Sequence, residues 1–113
     1  MTIIYHMADK DDWRASEAVG VYDGTAMDKA DGYIHFSTRK TVVESAAKHR
    51  AGEANLVLLQ VEADSLGDQV KWEPARGGIL FPHVYGGLNP AKVFRIDDLP
   101  LDDAGLHVFP EMA

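Results

Sequence analysis

The first residues pack apolar and aromatic side chains closely: "TIIYHM" over 2–7 reads as a β-strand. The pattern then changes to a helical one over 10–19, with Asp9 as its cap, acidic residues in the first turn and Gly20 to end it. "VYDG" predicts a short strand and turn, and "TAMDKADG" a loop that closes on the turn pair Asp31-Gly32. "YIHFS" alternates: Tyr33, His35 and Ser37 share one strand face, Ile34 and Phe36 the other. A helix follows, starting at Arg39 or Val42 and running to Ala51, with Val42, Val43, Ala46 and Ala47 as its apolar stripe. Thr41 to Glu44 has the spacing of a capping box, and Gly52 marks the end.

"NLVLLQVEA" is the most apolar run and predicts the central strand. "DSLGDQ" reads as a turn or a single helical turn. "VKWE" reads as a short strand with Val70 and Trp72 on one face, Lys71 and Glu73 on the other. Glycine and proline make 74–90 a long loop with at most a short strand at "ILF", before a last strand in "AKVFRIDDL". Strands outnumber helices, and no regular crossover separates them. The expectation is an α+β fold: a single compact domain over 1–101, mainly antiparallel sheet with two helices. Residues 102–113 are expected to form a solvated acidic tail.

Composition narrows the classes. A chain of 113 residues with 46% hydrophobic content supports a single core. No apolar run approaches the ~20 residues needed to span a bilayer. The start "MTIIYHMADKDDW" lacks the basic and apolar regions of a signal peptide, so a cytoplasmic location without membrane association is expected. The absence of cysteine removes disulfides, thiolate nucleophiles and zinc sites built on sulfur. A net charge of −7, with no lysine or arginine after Arg95, argues against non-specific nucleic-acid binding. A small anionic ligand held by one local arginine stays open.

Candidate chemistry gathers on histidines with aromatic neighbours: His6 in "IYHM", His35 in "YIHFS" and His83 in "FPHVYG". Imidazole donates, accepts and titrates near neutrality, and the flanking rings offer a flat ligand a stacking surface. A core packing role competes for each histidine singly; the shared surroundings favour a shared site. His49 and His107 read as surface residues. The spacings of 29 (35 − 6) and 48 (83 − 35) residues lack the i,i+2 or i,i+4 signature of a metal site, although separate strands can still converge. Ser37 and Thr38 stand between strand and helix, where hydroxyls cap a helix or hold an anion or ribose hydroxyl. In "WEPARGG", Glu73 is a candidate base and Arg76, beside Gly77 and Gly78, a candidate phosphate ligand, against a plain turn whose charges face water. No Gly-x-Ser-x-Gly elbow is present, which disfavours a serine hydrolase.

The blocks "IYHM", "DGYIHFST", "LVLLQVEADSLG" and "VKWEPARGGILFPHVYG", with a closing strand ending in "LPL", occur in that order. Over 3–101 the chain resembles the bacterial domain of unknown function 952 family, and "DGYIHFST" and "FPHVYG" carry the likeness most specifically. That family in turn resembles the ADP-ribosyltransferase-like superfamily, which implies a split β-sheet core and NAD as a substrate. By that resemblance His6 would bind the ribose, Ser37 and Thr38 would support the site, Glu73 would be the late acid and Arg76 would meet the pyrophosphate. His35 has no clear counterpart there, and His83 competes with Glu73 for the third position. The leading expectation is a pocket for an NAD-like or nucleotide ligand, lined by His6, His35, Ser37, Thr38, Glu73, Arg76 and His83, with Tyr5, Phe81 and Tyr85 as walls. A non-catalytic module for a small molecule or a protein, and a histidine-ligated metal enzyme, are the alternatives. No resident cofactor is implied.

Overall fold

In the computed structural model, residues 2–113 are described, all but the side chain of Arg76. The fold is organised by β3 (Leu56–Glu62), which is buried at every position except Glu62. A strand buried on both faces needs a neighbour on each edge and a layer on each side. Its edges pair antiparallel with β1 (Ile3–Asp9) and β6 (Val93–Leu99), giving the order β1-β3-β6.

Alternation along these strands divides the core in two. Ile4, Ala8, Val57, Leu59 and Val61 point one way and meet Trp13, Tyr22, Phe36, Ile34 and Val84. Tyr5, Met7, Leu56 and Leu58 point the other way, against Val42 and Ala46. Trp13 comes from α1 (Lys10–Val19), which ends on the left-handed Gly20 at φ 87° as its sequence predicts. Val42 and Ala46 come from α3 (Arg39–His49).

The second sheet has the order β2-β5-β4, built from β2 (Ile34–His35), β4 (Val70–Pro74) and β5 (Leu80–Val84), all antiparallel. Ile34 and Val84 face the first core cluster, and His35 pairs with His83 in register. The two sheets are joined where Tyr5 and Ser37 exchange backbone hydrogen bonds of 2.9 and 2.7 Å. The architecture is thus α+β with antiparallel sheets.

Several local expectations are corrected. The segment 25–32 is not a loop: it holds α2 (Ala26–Asp31), capped by a Thr25/Asp28 box and closed by Gly32 at φ 88°. The strand expected over 33–37 keeps only Ile34 and His35, because beyond them the chain leaves β5 to bridge to Tyr5. Asp9 makes no cap bond; its carboxylate meets Arg50 at 3.2 Å. The capping box of α3 is Thr38 with Thr41, not Thr41 with Glu44, and Ser45 replaces the exposed Val43 and Ala47 on its buried face. The strand expected at 79–81 begins at Leu80 and continues through Pro82 to Val84; Pro82 has no amide to donate, but its carbonyl still accepts from the Phe36 amide at 3.0 Å, which keeps the pairing going. In 102–113 the acidic Asp102, Asp103 and Glu111 are exposed, but Phe109 and Met112 pack against the second core cluster, so the segment is not simply a solvated tail.

The cap of α3 has a measurable weight. Thr38 Oγ1 accepts from the Thr41 amide at 3.2 Å and Thr41 Oγ1 from the Thr38 amide at 3.1 Å. Thr38→Ala is expected to lower unfolding free energy by about 1 kcal/mol. Urea denaturation with an unchanged m-value checks this; a midpoint equal to wild type would remove the cap from the account.

Candidate functional site

His6, His35 and His83 border a single cavity of about 270 Å³. β1 supplies His6 with Tyr5 and Met7, the β2 strand and its continuation supply His35, Phe36 and Ser37, and β5 supplies Phe81 and His83. Thr25, Met27 and Asp28, from α2 and its cap, form another wall, and Ser45, His49 and Arg50 another.

His6 is buried, at 4% exposure, and both of its ring nitrogens are engaged. Nδ1 lies 2.6 Å from the His35 carbonyl, which only accepts, so Nδ1 carries the proton. Nε2 then accepts from the Tyr22 hydroxyl at 2.7 Å. Burial pushes the pKa of His6 down, against the pull of Asp28, which suits this neutral tautomer. Burial, with Asp28 next, raises the Tyr22 phenol well above its usual value, so the hydroxyl stays a donor. His6 therefore offers the cavity a ring surface rather than a free nitrogen.

Asp28 is the hub of the wall. It is 2% exposed, and its Oδ2 accepts from the Thr25 amide at 2.8 Å. Its Oδ1 accepts from the His35 amide at 3.1 Å and from His35 Nδ1 at 2.5 Å. Burial works to raise its pKa, but His35, His6 and the Thr25 amide hold it down to about 2. Gly24 leaves room for this carboxylate, since a Cβ there would lie 2.6 Å from Asp28. His35 Nε2 meets Asp31 at 3.1 Å, so the imidazole lies between two carboxylates of α2. The Asp28 hydrogen bond raises its pKa, against the cost of burial, and favours the imidazolium.

His83 is held differently. Its Nδ1 donates to Glu73 Oε1 at 2.7 Å, and the same oxygen accepts from the Tyr85 hydroxyl at 2.7 Å. These two bonds, Tyr85 first, keep the Glu73 carboxyl below its usual pKa. The shared bond pushes Tyr85 up to about 12. Tyr33 stacks on the His83 ring at 4.1 Å between centroids, inclined by 26°.

Of the expected site residues, Tyr5, His6, His35, Ser37, Phe81 and His83 reach the cavity. Glu73 and Tyr85 stand behind His83, and Thr38 is spent on capping α3. The side chain of Arg76 lies outside the described residues. Arg50, which borders the cavity, is committed to the Met7 carbonyl, Asp9 and Glu53 at 3.0–3.2 Å. A wider depression of about 810 Å³ runs past Arg39, Lys92 and Phe94, and of the expected residues only Tyr5 borders it. Metal ligation by all three histidines would break one of the two bonds at His6 and one of the two at His35, since neither ring has a nitrogen to spare. Among the described residues no group of His, Cys, Asp or Glu side chains is arranged to hold a metal ion. None of the described helices is long and apolar enough to cross a membrane.

With this geometry in place, comparison with known proteins decides the family. The profile of the family described as "Protein of unknown function (DUF952)" matches residues 7–96, most of the chain. The chain belongs to the DUF952 family. The crystal structure of protein CC0527 from Caulobacter crescentus is 47% identical over 95% of this DUF952 chain and 94% of its own, with a TM-score of 0.91. The solution NMR structure of the same Caulobacter protein is 48% identical over 94% and 91% of the two chains, with a TM-score of 0.83. No curated protein matches. The DUF952 match takes in His35, Glu73 and His83 and begins one residue after His6.

Several residues at this DUF952 site were not foreseen, Asp28, Met27 and His49 among them. Asp28 and Met27 fell in the segment expected as loop, though Thr25-x-x-Asp28 has capping-box spacing and marks a helix start. His49 was expected at the surface; it is exposed but also borders the cavity. His107, also expected at the surface, is half-buried against the Glu53 carbonyl at 2.8 Å.

Proposed function

We propose that this DUF952 domain is a cytoplasmic protein that binds a small, flat, nucleotide-like ligand, its base-and-ribose end seated in the cavity. The observation that carries this reading is the convergence of His6, His35 and His83, from separate strands, on one cavity walled by Tyr5, Phe36 and Phe81. Aromatic and imidazole faces favour a planar group, and the Ser37 hydroxyl beside them suits a sugar hydroxyl. At about 270 Å³ the cavity is slightly below the usual range of about 300–1,000 Å³ for ligand pockets. It suits a nicotinamide–ribose or base–ribose fragment, so the remainder of NAD would extend past the mouth.

The resemblance to ADP-ribosyltransferases contributes the ligand class to this proposal more than the transfer chemistry. Ribose recognition by His6 would have to displace the His35 carbonyl or Tyr22. A carboxylate at an oxocarbenium ion is served poorly by Glu73, which faces His83 and Tyr85. The internal pairing of His6, Asp28 and His35 favours, as a second reading, a non-catalytic binding module.

The test is a thermal-shift series with nicotinamide riboside, NAD, ADP-ribose and a 2′-phosphorylated nucleotide. A ligand at a hundred times its Kd stabilises by about 2.7 kcal/mol, which moves the melting temperature by several degrees. Nicotinamide riboside and NAD are expected to give similar shifts, both lost in Phe81→Ala. A flat response across the panel would sink the proposal.

A further inference from the structure

We infer that His83 and Glu73 form a general-base dyad that activates water against a ligand held in the cavity. The inference rests on the cavity being a ligand site, and adds a reaction to it.

The argument starts from tautomers. Glu73 is ionised and only accepts, so the 2.7 Å contact places the proton on His83 Nδ1. In the neutral ring Nε2 is then a lone pair. Among the described residues Nε2 of His83 has no hydrogen-bond partner, whereas both nitrogens of His6 and of His35 are occupied. His83 is therefore the strand histidine at the cavity with a basic nitrogen to spare.

The dyad is also rigid. Lys71 pairs with His83 and Glu73 with Phe81, so Glu73 is the diagonal neighbour of His83 on the same sheet face. Tyr85 fixes the carboxylate from the other side, and Tyr33 stacks on the ring. His83 is 5% exposed yet borders the cavity, so its ring is shielded except toward that space. A carboxylate that orients an imidazole and supports its protonated form is the arrangement general-base catalysis needs. In the step, Nε2 takes a proton from water as the water oxygen attacks the electrophilic carbon of the ligand. The bond to the leaving group breaks with its electron pair going to that group, and the proton passes from Nε2 to the leaving group or to solvent. Glu73 is a positioning residue: it touches His83, not the reacting atoms.

The probe is 4-nitrophenyl acetate, a flat ester sized for the cavity. Hydrolysis consumes one water and releases acetate, 4-nitrophenolate and two protons. Wild type is expected to exceed the buffer rate, with at least a tenfold loss in His83→Gln and partial recovery of His83→Ala by added imidazole. Glu73→Gln should lower kcat with KM little changed, because the ring loses the acceptor that fixes its tautomer; a purely structural role in shaping the cavity would raise KM instead. Nitrogen-15 NMR of the unmodified protein, which needs no variant to fold, should show His83 protonated at Nδ1 and bare at Nε2. Equal hydrolysis by wild type and folded His83→Gln, or a proton found on Nε2, overturns the dyad. If nicotinamide riboside still binds in that case, the pocket stands without the chemistry; if it does not, the ligand reading falls as well.

Discussion

Asp28→Ala is expected to destabilise the protein by about 3 kcal/mol. The carboxylate is 2% exposed and accepts from two backbone amides and one imidazole, with the His6 ring 3.7 Å away. Its loss leaves those donors inside the protein without an acceptor, and unpaired buried donors cost more than the bond itself contributes. It also leaves the His35 imidazolium facing only Asp31. Asp31→Ala is the control: that carboxylate is half exposed and is expected to matter by less than about 1 kcal/mol. Urea denaturation of both variants checks the ranking, and near-equal midpoints would show that Asp28 is not the hub. The loss should spread beyond α2, because Asp28 ties Thr25, His35 and His6 into one network at the cavity wall.

How far such a network can be anticipated depends on the range of the interactions that make it. β3 was legible because a run of buried aliphatics has one simple solution, the middle of a sheet. α1 was legible from its spacing and from Gly20, a local stop signal that acts within one turn. α2 was not, since six residues are too few to show a period, and Gly24, Asp31 and Gly32 all resemble turn chemistry. The full extent of β5 was not legible, because Pro82 reads as a strand breaker, yet its carbonyl still accepts from the Phe36 amide and the strand runs on to Val84. The bend that leaves β2 with two residues is set by the bridge from Ser37 to Tyr5, a contact between distant parts of the chain.

The site divides along the same line. That His6, His35 and His83 belong together could be read from their repeated aromatic setting. Which ring nitrogens are engaged and which is left free could not. It depends on the register that puts Glu73 diagonal to His83, and on a helix that brings Asp28 onto His35. The hydroxyls after His35 also carried two meanings that only position separates: Ser37 turns into the cavity while Thr38 caps α3.

The second large effect is a pH dependence centred on His35. At about pH 5.5, His35→Gln is expected to cost about 2 kcal/mol, the weight of hydrogen bonds to charged groups, and the deficit should shrink steadily above neutrality. The sign follows from linkage. The folded pKa of His35 is raised above its ordinary 6.5, chiefly by Asp28 and then by Asp31, against burial. Its stabilising contribution is therefore fully present below 6.5 and lost as pH rises through the folded value. The groups facing it are Asp28 and Asp31 on α2, the neighbouring rings of Tyr33 and His83, and His6, whose Nδ1 donates to the His35 carbonyl. His6 acts with the opposite sign: burial lowers its folded pKa, so acidification below 6.5 favours the unfolded chain. Wild-type stability alone thus blends two opposed slopes, and the difference between wild type and His35→Gln isolates the one that concerns α2. At the acid end, Asp28 contributes stability above its ordinary 3.8 that is lost as pH falls toward about 2, and the deficit should fade there as well. A deficit as large at about pH 9 as at pH 5.5 would show that the ring packs without its charge. Thr25, Met27 and Asp28 wall the cavity, so the loss of the imidazolium loosens the same helix that encloses the ligand space. Amide exchange across Ala26–Asp31 should therefore quicken over the pH range in which the stability difference disappears.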